Sequence, residues 1–186
     1  LSSYANDFTA TSNGCRGSQG RDRMVRFSVP AGQRVVVTVT PTVSTFDPMV
    51  SLVAGPASAC VGSTATCVAS ADALADNGAE TATWTNTGTS AVDVFAIVDD
   101  YDAQSTNGAY QLVIELRPAP AGETCETALV GASGVAITRT ATDFANEYSG
   151  ATGGCVTPSQ GPDFVVAYTV PNNQSLTVTA TPGASV

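Results

Sequence analysis

Asp99, Asp100 and Asp102 lie within four consecutive residues, and they are the group in this chain whose side chains are best suited to metal chemistry. Calcium binds several oxygen ligands from carboxylates and backbone carbonyls, so these three aspartates are candidate calcium ligands. No complete Asp-x-Asp-x-Asp-Gly loop surrounds them. The alternative is a solvated acidic loop in which Tyr101 packs inward.

A second acidic loop carries Asp72, Asp76, Asn77 and Glu80. It is a weaker calcium candidate, because an Asn-Gly turn and the capping of one helical turn over 71–79 would use the same residues.

Three other aspartates stand just before strand-like segments. Asp22 and Asp163 occupy matching positions in two similar stretches, and Asp47 lies in Phe46-Asp47-Pro48. We interpret all three as structural acceptors for backbone N–H groups.

The chain contains neither His nor Lys. His is the commonest general base, and no Lys replaces it beside the many Ser and Thr, so we predict that the chain is not an enzyme. The net charge of −9 argues against nucleic-acid binding, which needs clustered basic side chains. No apolar run is long enough to predict a membrane span.

An internal repeat sets the predicted domain plan. Residues 22–41 and 163–182 share nine of twenty positions without a gap, at an offset of 141 residues. An offset of this size indicates a repeated domain rather than a short solenoid unit. We therefore expect a first domain over 1–117, a Pro-rich linker over 118–121 and the N-terminal part of a second domain over 122–186, with both ends of the sequence falling inside domains.

Period-two alternation and β-branched residues dominate the chain, and turn signals recur at short intervals. The pattern predicts an all-β fold, specifically a jelly-roll-like antiparallel β-sandwich. The predicted strands are 24–29, 34–40, 49–54, 81–87, 92–98 and 110–116 in the first copy, and 135–142, 164–170 and 175–181 in the second. Trp84 is interpreted as a core residue, with a sugar-stacking platform as the alternative.

Five cysteines and no zinc-type pair indicate disulfides in an oxidising compartment, and therefore an extracellular or cell-surface location. Cys60 and Cys67 bracket a six-residue loop and are expected to pair locally. The repeat predicts a second bond between Cys125 and Cys155. By the same symmetry, Cys15 is expected to be unpaired or bonded to another chain.

Several stretches resemble the bacterial pre-peptidase C-terminal domain, a small jelly-roll sandwich of secreted bacterial proteins. The resemblance rests on Asp22-x-x-Val-x-Phe-x-Val-Pro-Ala-Gly, Phe46-Asp47-Pro48 before Val50-Ser51-Leu52, Val98-Asp99-Asp100-Tyr101 and Gly108-Ala109-Tyr110-Gln111-Leu112-Val113-Ile114. It implies a non-catalytic accessory module that is often repeated, and some members bind calcium. The opening Gly122-Glu123-Thr124-Cys125 resembles variants repeated in long exported proteins.

Two functions follow as hypotheses. The first is an extracellular structural or adhesive repeat module, whose partners are copies of itself or neighbouring repeats and which forms a fibre or filament by completing sheets between subunits. The second is an accessory module of a secreted hydrolase or protease that binds a polysaccharide or another substrate. An exposed sheet face with aromatic and polar side chains would favour the second.

Overall fold

A computed structural model describes most of the chain. The described residues are 4–9, 15–17, 20–60, 65–101, 108–141, 144–145 and 161–181. The strands are β1 Arg23–Val29, β2 Gln33–Pro41, β3 Pro48–Ala54, β4 Ala69–Ala71, β5 Glu80–Thr85, β6 Val92–Asp100, β7 Tyr110–Pro118, β8 Leu129–Val130 and β9 Val166–Ala167. A 3-10 turn covers Ala57–Ala59. The described part of the chain contains no helix of the length and apolarity that a membrane crossing requires.

Strands β1 to β7 form two antiparallel sheets, which pack together as a sandwich. One has the strand order β1-β6-β3-β4 and the other β5-β2-β7. The predicted all-β antiparallel sandwich is therefore confirmed. All six strands predicted for the first copy are present. The short β4 has the sequence Ala-Ser-Ala, which carries no β-branched residue, so its propensity gave no signal.

The core lies between the two sheets and is formed by alternate side chains of their strands. Val35, Val37 and Val39 of β2 are fully buried and point the same way, since successive side chains of a strand face opposite sides. They meet Val94, Ala96 and Val98 of β6 within one apolar cluster. Trp84 is partly buried against this cluster, which confirms its interpretation as a core residue.

The central strand β6 is buried on both faces. Its alternate residues Phe95 and Ile97 point away from the inter-sheet core into a second apolar cluster. This outer cluster, as we name it, comprises the buried Phe8, Cys15, Val53, Ala65, Phe95 and Ile97, with Ala59, Cys60 and Cys67 packed against it. We call residues 4–9 and 15–17 the N-terminal segment. This segment packs over the outer face of the four-stranded sheet through Phe8 and Cys15.

One turn has the same geometry in both halves of the predicted repeat. The N–H of Gln33 donates to the carbonyl of Pro30 at 3.2 Å, and the N–H of Gln174 donates to that of Pro171 at the same distance. The third residue of each turn has a left-handed backbone, with φ of 68° at Gly32 and 61° at the matching Asn173.

The flanking strands of the second copy differ from the prediction. Residues 135–141 and 175–181 form no strand, and within 164–170 only Val166–Ala167 pairs, in parallel with Leu129–Val130. In the first copy the equivalent strands β1 and β2 pair with β5, β6 and β7, and the described residues after 121 contain no such partners. Alternation alone does not make a strand when no partner completes its hydrogen bonds. The division into two domains stays a prediction.

Candidate functional site

The predicted calcium residues Asp99 and Asp100 are the last two residues of β6, and they are 0% and 1% exposed. Pairing with β3 carries both into the protein, whereas Tyr101 turns outward and is 60% exposed. A solvated acidic loop with an inward Tyr101 is therefore wrong. Asp102 lies outside the described residues.

The chain entering β1 closes over this end of β6. A Cβ added to Gly20 would lie 1.9 Å from the carbonyl oxygen of Asp100, so only glycine fits at this approach. The N–H of Asp100 donates to Oδ1 of Asp99 at 2.7 Å. The two aspartates are thus enclosed, and their backbone is held in place.

Glu80 organises the second acidic loop. It is 2% exposed, and its Oε1 accepts the N–H groups of Ala73 at 2.9 Å and Leu74 at 2.6 Å. The predicted helical turn over 71–79 is absent. In its place Asn77 adopts φ of 63° and donates its N–H to the carbonyl of Phe46 at 3.0 Å. The Asn-Gly turn interpretation is the one that the structure favours.

Carboxylates that are far apart in sequence converge at this end of the sandwich. The pKa of Asp47 is raised, first by burial and then by the nearby charges of Asp72, Asp76, Glu80 and Asp100. Its Oδ1 is buried and finds no hydrogen-bond partner among the described residues. We call these five residues the acidic end. The interpretation of Asp47 as an acceptor for backbone N–H groups gains no support at this oxygen.

The acidic end does not assemble a metal-binding set. Within the described residues, no three or more His, Cys, Asp or Glu side chains are grouped so that they could hold a metal ion. Arg16 approaches Asp72 at 3.9 Å, but its side chain is 57% exposed, and an ion pair of this kind contributes little. The acidic end concentrates negative charge, which adds to burial in raising the pKa of Asp47.

Two polar side chains fasten the N-terminal segment to the sandwich. Oδ2 of Asp22 accepts the N–H groups of Asp7 and Phe8, both at 2.7 Å, which agrees with the predicted role of Asp22. The Ser51 hydroxyl accepts the N–H of Arg16 at 2.7 Å and donates to its carbonyl at 2.8 Å. Burial dominates the pKa of Asp22 and raises it, although both hydrogen bonds oppose that shift.

The cysteine pairing differs from the prediction. Cys15 forms a disulfide with Cys67, with a Cα–Cα distance of 4.9 Å, and Cys60 forms none. The local Cys60–Cys67 bond and the unpaired Cys15 were both wrong, because the N-terminal segment crosses the outer face and brings Cys15 to Cys67. Cys155 lies outside the described residues, so its bond with Cys125 stays a prediction.

Glu123 is a functional candidate to which the sequence pattern assigned no role. It is fully buried, and its Oε1 accepts the Thr85 hydroxyl at 2.9 Å and the N–H of Ala145 at 3.1 Å. The linker also returns to the sandwich, since the N–H of Ala119 donates to the carbonyl of Gly32 at 3.2 Å. A buried carboxylate therefore joins the end of β5 to residues that follow the linker.

These features define the class of the protein as a disulfide-linked antiparallel β-sandwich with a covered outer sheet face. No protein-family model, curated protein or solved structure matches the chain.

Proposed function

We propose that this chain is a non-catalytic extracellular module with a structural or adhesive role. On this proposal it is a jelly-roll repeat that resembles the pre-peptidase C-terminal domain, and neighbouring repeats or other copies are its partners. The observation that carries the proposal is the covalent fastening of the N-terminal segment: the Cys15–Cys67 bond spans 52 residues and closes the outer face.

Contacts between the sandwich and the residues at and after the predicted linker support this role. The linker is hydrogen-bonded to the β1–β2 turn, and the buried Glu123 contacts both sides of the linker. If the predicted domain division holds, contacts of this kind would restrict the movement of the residues after the linker against the sandwich. A disulfide is also compatible with an oxidising compartment, which supports export to the cell surface.

The accessory-module alternative has less support. Trp84, its candidate stacking residue, is partly buried and packs against the inter-sheet core. Retention of the chain on polysaccharide columns would favour the alternative, and a Trp84→Phe variant, which keeps the core filled, would show whether this residue contributes.

Single-molecule force spectroscopy tests the structural role. The chain is tethered at its two ends and stretched, first oxidised and then reduced. Because the disulfide shields 52 residues from tension, reduction should lengthen the unfolded chain by about 180 Å, at roughly 3.5 Å per residue. The oxidised sandwich should unfold in one discrete event. Extension without such an event would contradict a mechanical role.

A further inference from the structure

Three cysteines meet at the outer cluster, although only two of them are bonded. Cys15 is buried within the cluster, and both Cys60 and Cys67 pack against it. Cys15 and Cys67 form the disulfide, whereas Cys60 remains a half-buried thiol. A thiol and a disulfide therefore share one small apolar environment.

Cys60 and Cys67 both belong to the connection between β3 and β4. Cys60 ends the 3-10 turn Ala57–Ala59, and its N–H donates to the carbonyl of Ala57 at 3.1 Å. Cys67 stands two residues before β4, which pairs antiparallel with β3. Antiparallel pairing returns the chain to the end of the sheet from which it left. Both cysteines consequently lie toward that end of the four-stranded sheet, and both pack against the outer cluster.

We propose that Cys15, Cys60 and Cys67 form a thiol–disulfide exchange centre with two interchangeable pairings. The Cys60 thiolate attacks Sγ of Cys67, a Cys60–Cys67 bond forms, and the Cys15–Cys67 bond breaks. Cys15 leaves as a thiolate and takes up a proton, while Cys60 has lost one, so no oxidant or reductant is consumed. The exchange releases the covalent tie on the N-terminal segment. It needs only the oxidised fold, so it does not depend on the proposed structural role.

Burial limits the rate of this exchange. Burial raises the pKa of the Cys60 thiol, which keeps it protonated at neutral pH. Only the thiolate attacks a disulfide. The Cys15–Cys67 bond therefore persists long enough for the protein to be isolated with it, and the Cys60–Cys67 bond forms slowly.

Arg-specific cleavage distinguishes the two pairings, because the chain has no Lys and few Arg. Cleavage after Arg16 isolates Cys15 on peptide 1–16, whereas Cys60 and Cys67 share the peptide that begins at Val35. The native, oxidised protein is incubated at mildly alkaline pH, and samples are taken over hours. Free thiols are then blocked with N-ethylmaleimide, and the unreduced digest is analysed by mass spectrometry.

The expected result is a growing fraction of free peptide 1–16 that carries the label on Cys15. In a Cys60→Ala variant, peptide 1–16 should stay linked at every time point. A Cys15→Ser variant, oxidised from the reduced state, should carry no label on Cys60 or Cys67, because they pair with each other.

Three results would overturn the proposal. The first is a wild-type protein whose peptide 1–16 stays linked and in which Cys60 is the only one of these three cysteines to be labelled at every time point. The second is a linked peptide 1–16 with the label on Cys67, since that pattern means attack on Cys15. The third is a Cys15→Ser variant with both remaining thiols labelled. Circular dichroism is recorded for each sample as a control. A retained spectrum excludes unfolding as the cause of the exchange.

Discussion

Replacing Cys60 and Cys67 together by Ala removes the Cys15–Cys67 disulfide and the pairing that could substitute for it in the outer cluster. The matched control is Cys60→Ala alone, which carries the same change at position 60 and keeps the disulfide. The difference in unfolding free energy between the two variants therefore reports the bond.

The magnitude follows from the length of chain that the bond closes. In the chain-entropy description, a disulfide across 52 residues stabilises the folded state by about 4 kcal/mol, because it restricts the unfolded chain. A bond across the short loop between Cys60 and Cys67 would contribute about 2.5 kcal/mol on the same description. The two pairings thus differ measurably in the stability that they confer.

Urea denaturation at 25 °C measures this difference. We expect the double variant to unfold with about 4 kcal/mol less free energy than Cys60→Ala, and with a larger m value, since its unfolded chain exposes more surface. A difference below about 2.5 kcal/mol would refute the reasoning. It would mean that the bond across the outer face does not restrict the unfolded chain as its length requires.

Substitutions at three further positions test the acidic end and the contacts of the linker region. Asp47→Asn should raise the urea midpoint at pH 7, because the raised pKa of Asp47 means that its ionised form destabilises the folded state. The gain should vanish below pH 3.8, where Asp47 is protonated in both the folded and the unfolded state. Equal effects at pH 7 and pH 3 would contradict this. Glu123→Ala should lower the unfolding free energy by about 2–3 kcal/mol in urea denaturation, because it removes the buried acceptor of the Thr85 hydroxyl and the Ala145 N–H. Glu123→Gln keeps an acceptor oxygen and should cost less; equal losses would exclude the hydrogen bonds as the cause. Gly20→Ala should lower the stability by about 1–3 kcal/mol through its clash with Asp100, and an unchanged melting temperature would show that this approach is not close.

Most strands of the sandwich were predictable from local pattern. In β2 the inward valines alternate with more exposed residues, and this period of two is a property of the strand itself. The same alternation over 175–181 predicted a strand that is absent among the described residues. Pattern marks a segment as suited to a strand, but hydrogen bonding to a partner decides whether it becomes one.

The acidic end could not be predicted from the sequence pattern. Asp47, the loop of Asp72 and Asp76, and the end of β6 were three separate observations in the sequence. The pairing of β3 with β6 brings Asp47 beside Asp100, since Pro48 stands opposite Asp100 in the register. Their mutual repulsion, and the raised pKa of Asp47 that it helps to cause, exist only in the folded chain.

By itself, then, the sequence determined the all-β class, most strands of the sandwich and the inward position of Trp84, because each depends on alternation or size within a few residues. The tertiary structure decided which cysteines bond, which carboxylates meet and what Glu123 joins. Those outcomes depend on where distant segments come to lie, and Cys67 pairs with Cys15 across 52 residues although Cys60 is nearer along the chain. Sheet pairing and the burial of apolar faces decide which residues of a folded protein come close together. Separation along the chain is a poor guide to that proximity.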